Sequence, residues 1–155
     1  MANEHDKRNK KLYSNPYLVQ ELLEKFVSED FIKDLDFTSL ENVGKSFVTD
    51  EFKEKESDLI WKIKFKCTEM YIFILLEFQS TVEKFMAVRM LRYITEFYEF
   101  LMIQKPKPKN LPAVFPLLLY NGDARWTAPS KIEDLIDHSI PIQLTPKFLY
   151  YPFEI

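Results

Sequence analysis

The run from Ser57 to Ser80, SDLIWKIKFKCTEMYIFILLEFQS, limits the possible folds more than any other stretch of the chain. Its first half alternates. Asp58, Ile60, Lys62 and Lys64 fall on one side, and Leu59, Trp61, Ile63 and Phe65 fall on the other. This is the period-two pattern of a half-buried strand. Its second half, Tyr71 to Leu76, is apolar at every position and rich in aromatic and β-branched residues. Such a segment reads as a strand covered on both faces. A tight turn between the two makes an antiparallel hairpin, and the second strand stops abruptly at Glu77-Phe78-Gln79-Ser80.

Cross-strand partners in a hairpin share a face. A Cys67-Thr68 turn sets Lys66 against Glu69 and Asp58 against Glu77; a Thr68-Glu69 turn sets Asp58 against Gln79. Glu77 and Gln79 are two residues apart, so either register gathers Asp58, Glu77 and Gln79 at one end of the sheet. Two carboxylates held together raise each other's pKa unless a proton or cation neutralises them. Donors that are all oxygen suit a hard divalent cation such as magnesium. The plainer alternative is that acids merely mark strand ends and Asp58 terminates a ladder.

Composition narrows the function classes. At 155 residues the chain suits one compact domain, and 14 Phe supply a core without staples. Only 2 Gly are present, which excludes a glycine-rich dinucleotide fingerprint or phosphate loop. A single Cys67 permits neither an internal disulfide nor a zinc cluster, and a reducing cytoplasm is the expected compartment. The net charge of −3 argues against a general electrostatic nucleic-acid binder, while leaving room for a local basic patch. The longest apolar run, Met70–Leu76, falls far short of the roughly 20 residues that cross a bilayer. The N-terminus carries no secretory signal pattern.

Along the chain, Asp6 is placed to cap a short basic helix. Ser14 or Asn15 caps a second one with Pro16 at its first position. Tyr17, Leu18, Leu22, Leu23 and Phe26 give that helix an apolar stripe. A break with a short helical turn follows over Val27–Asp36. Leu40–Asp50 is read as a strand with a turn at Gly44, burying Phe47 and Val48, and Glu51–Glu56 as a solvated loop. After the hairpin, Val82–Ile103 is read as a helix capped by Ser80 or Thr81, burying Phe85, Val88, Leu91, Phe97, Phe100 and Leu101. Arg89, Arg92, Tyr93 and Glu96 form its more polar neighbouring surface, with Arg89 and Tyr93 one turn apart. Either arginine is a surface or paired residue, or contacts phosphate near the acids. Gln104–Asn110 is an exposed, lysine-rich loop. Leu111–Tyr120 is a buried strand in which Pro116 suggests a bulge or an edge. Asn121-Gly122-Asp123 is a turn, Ile132–His138 a short helix with an isolated His138, and Phe148–Ile155 a last strand broken by Pro152. Strands and helices interleave, which predicts an α/β fold with a mixed central sheet and acids at the ends of central strands.

Four blocks in this order resemble the recombination-promoting nuclease/putative transposase (YhgA-like) family, a branch of the PD-(D/E)XK restriction-endonuclease-like superfamily. They are His5-Asp6 with Lys10, Leu12 and Tyr13; Asp58-Leu59-Ile60; Glu77-Phe78-Gln79-Ser80, with Phe78 where the family has His; and Met86, Arg89, Leu91, Arg92 and Tyr93. A fifth block runs from Leu111-Pro112 through Pro116 to Tyr120-Asn121-Gly122, with Trp126 beyond and Asn121 where the family has His. The resemblance implies residues 1–155 as the N-terminal nuclease domain of a longer architecture. It implies a DNA endonuclease of low sequence specificity, with Asp58 and Glu77 binding Mg2+ (or Mn2+ or Ca2+) and Gln79 standing where the superfamily most often has Lys. Asp6 and Lys10 would approach from the first helix, and Arg89, Arg92 and Tyr93 would support the site or contact DNA. Two rivals stand beside this: a nuclease-fold module without turnover that binds DNA or a protein, and a purely structural α/β domain. An open apolar face would also favour a homodimer.

Overall fold

The computed structural model describes residues 4–44, 58–77, 81–140 and 143–155, with His5, Asp6 and Asp58 described by their backbone. Two helices open the chain, α1 (Glu4–Leu12) and α2 (Pro16–Phe26), followed by a 3-10 turn at Asp30–Asp34. Then come β1 (Leu35–Asn42), β2 (Asp58–Phe65), β3 (Thr68–Glu77), the long α3 (Met86–Met102), β4 (Val114–Tyr120), a second 3-10 turn at Ile132–Leu135, and β5 (Tyr151–Glu154). The five strands form one sheet in the order β1-β2-β3-β4-β5. The β1–β2 and β2–β3 pairs are antiparallel; β3–β4 and β4–β5 are parallel. The fold is α/β around a mixed sheet, as the sequence predicts.

Strand alternation builds two apolar layers. Ile60, Phe73, Leu75, Leu118 and Tyr120 face α3. Leu59, Trp61, Ile63, Ile72, Ile74 and Leu119 face α2, which contributes Val19, Leu22 and Leu23. β3 is covered on both sides because it lies between two helical layers, so its continuous apolar run is a consequence of its place. Asn15 caps α2 by accepting the Tyr17 N–H at 3.0 Å, and Pro16 takes the first helical position. Tyr17 and Phe26, expected in the α2 stripe, are mostly exposed; Val19 takes the inward place.

Several expectations need correction. The hairpin turn is Lys66-Cys67, with Phe65 opposite Thr68, so Asp58 lies opposite Leu75 rather than Glu77 or Gln79. Apolar alternation cannot separate registers that differ by two residues. The turn decides here: Lys66 adopts a positive φ of 54° and its N–H donates to Asp34 O at 3.2 Å. The first strand begins at Leu35, not Leu40. Its signal is hidden by an irregularity between Asp36 and Glu41, where Asp36 accepts from the Thr38 N–H and hydroxyl, and Ser39 Oγ accepts the Lys64 N–H. Phe47, Val48, Ser80 and Glu51–Glu56 lie outside the described residues.

The helix α3 starts at Met86, with Phe85 as its cap residue and no side-chain cap. Its buried stripe is Met86, Ala87, Met90, Tyr93, Ile94 and Phe97. Phe85 (52% exposed) and Val88 (48%), expected inside, lie outside. Phe97 is buried as expected, and Leu91, Phe100 and Leu101 pack partly buried against the core, but Tyr93 belongs to the core face rather than the polar one.

Both strand prolines sit where no ladder donor is needed. Asn121 N–H donates to Glu77 O and Tyr71 N–H to Ala113 O, so odd-numbered residues of β4 bond to β3. Pro116 therefore faces the β5 side, where pairing starts only at Leu117 opposite Tyr151. It makes no bulge and occupies a locally unpaired, edge-like position, one of the two places expected for it. Pro152 lies within β5 without breaking it, because the Ile155 N–H to Tyr120 O bond puts odd-numbered residues toward β4 and turns Pro152 outward.

Candidate active site

Among the described residues Glu77 is the one charged side chain that is buried, at 4% exposure. It ends β3 and faces the α3 layer with Phe73 and Leu75, since alternate residues share a face. A carboxylate in that position needs a partner, because an unpaired buried charge is strongly unfavourable. Arg89, in the first turn of α3, supplies it: Arg89 Nη1 donates to Glu77 Oε2 at 2.7 Å.

Arg89 is itself held. Its Nε donates to the Tyr93 hydroxyl at 3.0 Å, and its guanidinium lies 5.8 Å from the Tyr93 ring centre. The Tyr93 ring stacks on Phe73 of β3, with ring centres 6.0 Å apart. Burial opposes the Arg89 charge, but the Tyr93 hydrogen bond and the Glu77 carboxylate more than offset it and hold its pKa above the ordinary guanidinium value. Strand, helix and ion pair thus fix one another.

The neighbouring strand closes the site. Tyr120 ends β4 directly beside Glu77, and the Asn121 N–H donates to the Glu77 carbonyl at 2.9 Å. Tyr120 packs on Trp126, and its buried hydroxyl has no hydrogen-bond partner among the described residues. That hydroxyl lies against Gly122, where an added Cβ would stand only 2.1 Å from it.

The register puts position 58 opposite Leu75 and hence on the sheet face that carries Glu77, as a diagonal rather than direct neighbour. Gln79 lies outside the described residues, as do the side chains of Asp58 and Asp6. The helix carrying Asp6 and Lys10 packs against β3; Lys10 is partly buried there, and its carbonyl accepts the Ser14 hydroxyl at 2.6 Å. Arg92 lies one turn beyond Arg89, exposed, with Nε bonded to Glu96 at 3.0 Å. Among the described residues no group of three or more His, Cys, Asp or Glu gathers as a metal cage, and no helix is long and apolar enough to cross a membrane. Beside Arg89 the surface sinks into a recess of about 340 Å³ lined by Glu83, Phe85, Val88, Arg89, Arg92 and Tyr93. Sequence reasoning missed Phe85 as a wall of this recess, because it took that residue for core.

The family described as "Putative transposase, YhgA-like" matches residues 3–155 of the chain. The chain belongs to this family. Among its relatives, the recombination-promoting nuclease RpnD of Escherichia coli O157:H7 is 30% identical over 76% of this chain and 45% of its own length. The recombination-promoting nuclease RpnA of Escherichia coli K12 is 37% identical over 56% of this chain and 29% of its own. The inactive recombination-promoting nuclease-like protein RpnE of the same strain is 29% identical over 79% of this chain and 40% of its own. The chain therefore spans less than half the length of these three relatives. No solved structure matches it. Glu77 and Arg89 bring the end of β3 and the start of α3 into contact.

Proposed function

We propose that this chain is a metal-dependent DNA endonuclease domain, hydrolysing phosphodiester bonds with low sequence specificity. The observation that carries the reading is the buried Glu77 at the end of the central strand, fixed by Arg89 and Tyr93 beside position 58. Family membership supports it, since the relatives RpnD and RpnA are named nucleases.

Oxygen donors fit a hard divalent cation here. Asp58 and Glu77 would hold Mg2+, or Mn2+ or Ca2+, with Arg89 engaged at only one Glu77 oxygen. Such an ion, when bound, lowers the pKa of water and stabilises charge on a phosphoryl oxygen. The chain's own groups do the rest. Arg89 keeps the Glu77 carboxylate in place; Gln79 would orient a water through its carboxamide, and Asp6 and Lys10 would support the site from α1. Gln79 brings no charge, so the positive charge nearest Glu77 in the described chain is Arg89.

A second reading has specific support. The same ion pair neutralises Glu77 without any metal, and RpnE is named inactive. A nuclease-fold module that binds DNA or a protein partner without turnover fits those two facts. Supercoiled plasmid incubated with Mg2+, with EDTA, and with the Asp58→Ala variant separates the two. The endonuclease reading expects nicking that needs the metal and disappears in the variant. Folded wild-type protein that binds Mg2+ but leaves the plasmid intact would establish the second reading, and cleavage that survives in Asp58→Ala would remove Asp58 from the site.

A further inference from the structure

We propose that the recess at the start of α3 is a nucleotide subsite that takes a backbone phosphate on Arg89 and Arg92 and an unpaired base against Phe85. It rests on the endonuclease reading for its meaning as a substrate site, and it names the substrate form as single-stranded or locally unpaired DNA.

The helical phase sets up the surface. With Met86, Ala87, Met90 and Tyr93 turned into the core, Phe85, Val88, Arg89 and Arg92 make a second stripe at three- and four-residue spacing along the recess. Phe85 is 52% exposed, although buried positions lie immediately beside it. An exposed aromatic ring next to two guanidinium groups has the make-up of a stacking platform, in which a base covers the ring and cations hold the backbone.

Donors are available. A guanidinium carries five N–H groups. Arg89 uses one on Tyr93 and one on Glu77, and Arg92 uses one on Glu96. The remaining N–H groups of both have no partner among the described residues. The acids nearby are already engaged: Glu77 by Arg89, Glu96 by Arg92, and Glu83 through Oε1 accepting the Phe85 N–H at 3.0 Å. The Lys84 ammonium lies 5.5 Å from the centre of the Phe85 ring and adds a third cation. The recess volume, about 340 Å³, lies at the lower end of the range for small-ligand pockets and suits a single nucleotide.

Two points favour an unpaired base. In a duplex both faces of each base are covered by neighbours, so Phe85 gains nothing from intact double-stranded DNA. Arg89 also touches both the recess and Glu77, so a nucleotide seated there places an adjoining phosphate toward the acid. Stacking tolerates any base, which agrees with low sequence specificity.

The test is fluorescence anisotropy with a labelled oligothymidylate and a duplex of equal length, in EDTA and across a salt series. The variants are Phe85→Ala and Arg92→Ala, each checked for native circular dichroism; both side chains are largely outside the core. Phe85→Ala is expected to weaken single-strand binding about tenfold or more while duplex binding changes less than about twofold. Arg92→Ala is expected to weaken both and to flatten the salt slope by nearly one phosphate contact. If Phe85→Ala alters neither affinity or weakens both equally, or if folded wild type binds no oligonucleotide at low salt, the subsite is wrong and the stripe serves another kind of partner. The plasmid assay remains independent. Single-strand binding through Phe85 without cleavage keeps the subsite and sinks the endonuclease; cleavage with no role for Phe85 does the reverse.

Discussion

Arg89 joins three elements through one side chain, so its removal tests how the site is held. Truncation would leave Glu77 buried beside apolar neighbours with no counter-charge among the described residues. A fully buried pair broken in this way costs about 3–5 kcal/mol. Arg89 is about a third exposed and water can partly replace it, so Arg89→Met should cost about 1–3 kcal/mol in chemical denaturation. The double variant Glu77→Gln/Arg89→Met should be less destabilised than the sum of the two single changes; strict additivity would mean that the pair contributes no coupling. Gly122 offers a second test at the same strand ends. Gly122→Ala forces a Cβ into the Tyr120 ring and should lose about 1–3 kcal/mol. Tyr120→Phe removes a buried hydroxyl that has no partner among the described residues and should be neutral or slightly stabilising. If Tyr120→Phe is clearly destabilising, that hydroxyl has a partner in solution. Glu77 was legible in the sequence as an acid ending an apolar strand, and Arg89 as a neighbour of Tyr93. Their mutual contact was not, because they stand twelve positions apart in the chain, with the start of a helix between them.

At the level of elements, the hairpin and α3 show what residue patterns can and cannot fix. The faces of β2 followed from alternation alone. The register did not, because shifting by two keeps Trp61, Ile63, Ile72 and Ile74 inside in every case. The deciding local feature is Lys66, a non-glycine residue with positive φ in a two-residue turn. Glycine accepts that conformation without the Cβ penalty, so Lys66→Gly should stabilise the protein by about 0.5–1 kcal/mol, read as a raised melting temperature. A drop instead would mean that the Lys66 stem packs more than the turn strains. For α3, the expected stripe held at Phe97 and failed in the first turns, where Met86, Ala87 and Met90 turn inward instead of Phe85 and Val88. Met90→Ala should cost about 2–5 kcal/mol, whereas Val88→Ala should stay within about 0.5. Equal effects would contradict the observed phase of the helix.

For the whole molecule, one sheet with an apolar layer on each face was legible because β3 has no polar position from Met70 to Leu76. The edges were less legible. The Pro152 backbone turned outward on β5 and the irregular β1 each lack a clean ladder face, which leaves the sheet poorly suited to growth by strand addition. Phenol groups are distributed through both layers, and this gives a test of global stability. Burial raises the pKa of Tyr13 at the helical face, of Tyr71 on β3, of Tyr98 on α3 and of Tyr150 before β5. In the unfolded chain these phenols ionise near their ordinary value of 10.0. Above that pH the unfolded state therefore binds fewer protons than the folded state, and stability falls as pH rises. Below it their contribution is fully present. The expected outcome is a cooperative alkaline transition in which tyrosinate absorbance and far-ultraviolet circular dichroism change together. If these phenols ionised smoothly while the circular dichroism stayed native, their ionisation would not be coupled to unfolding.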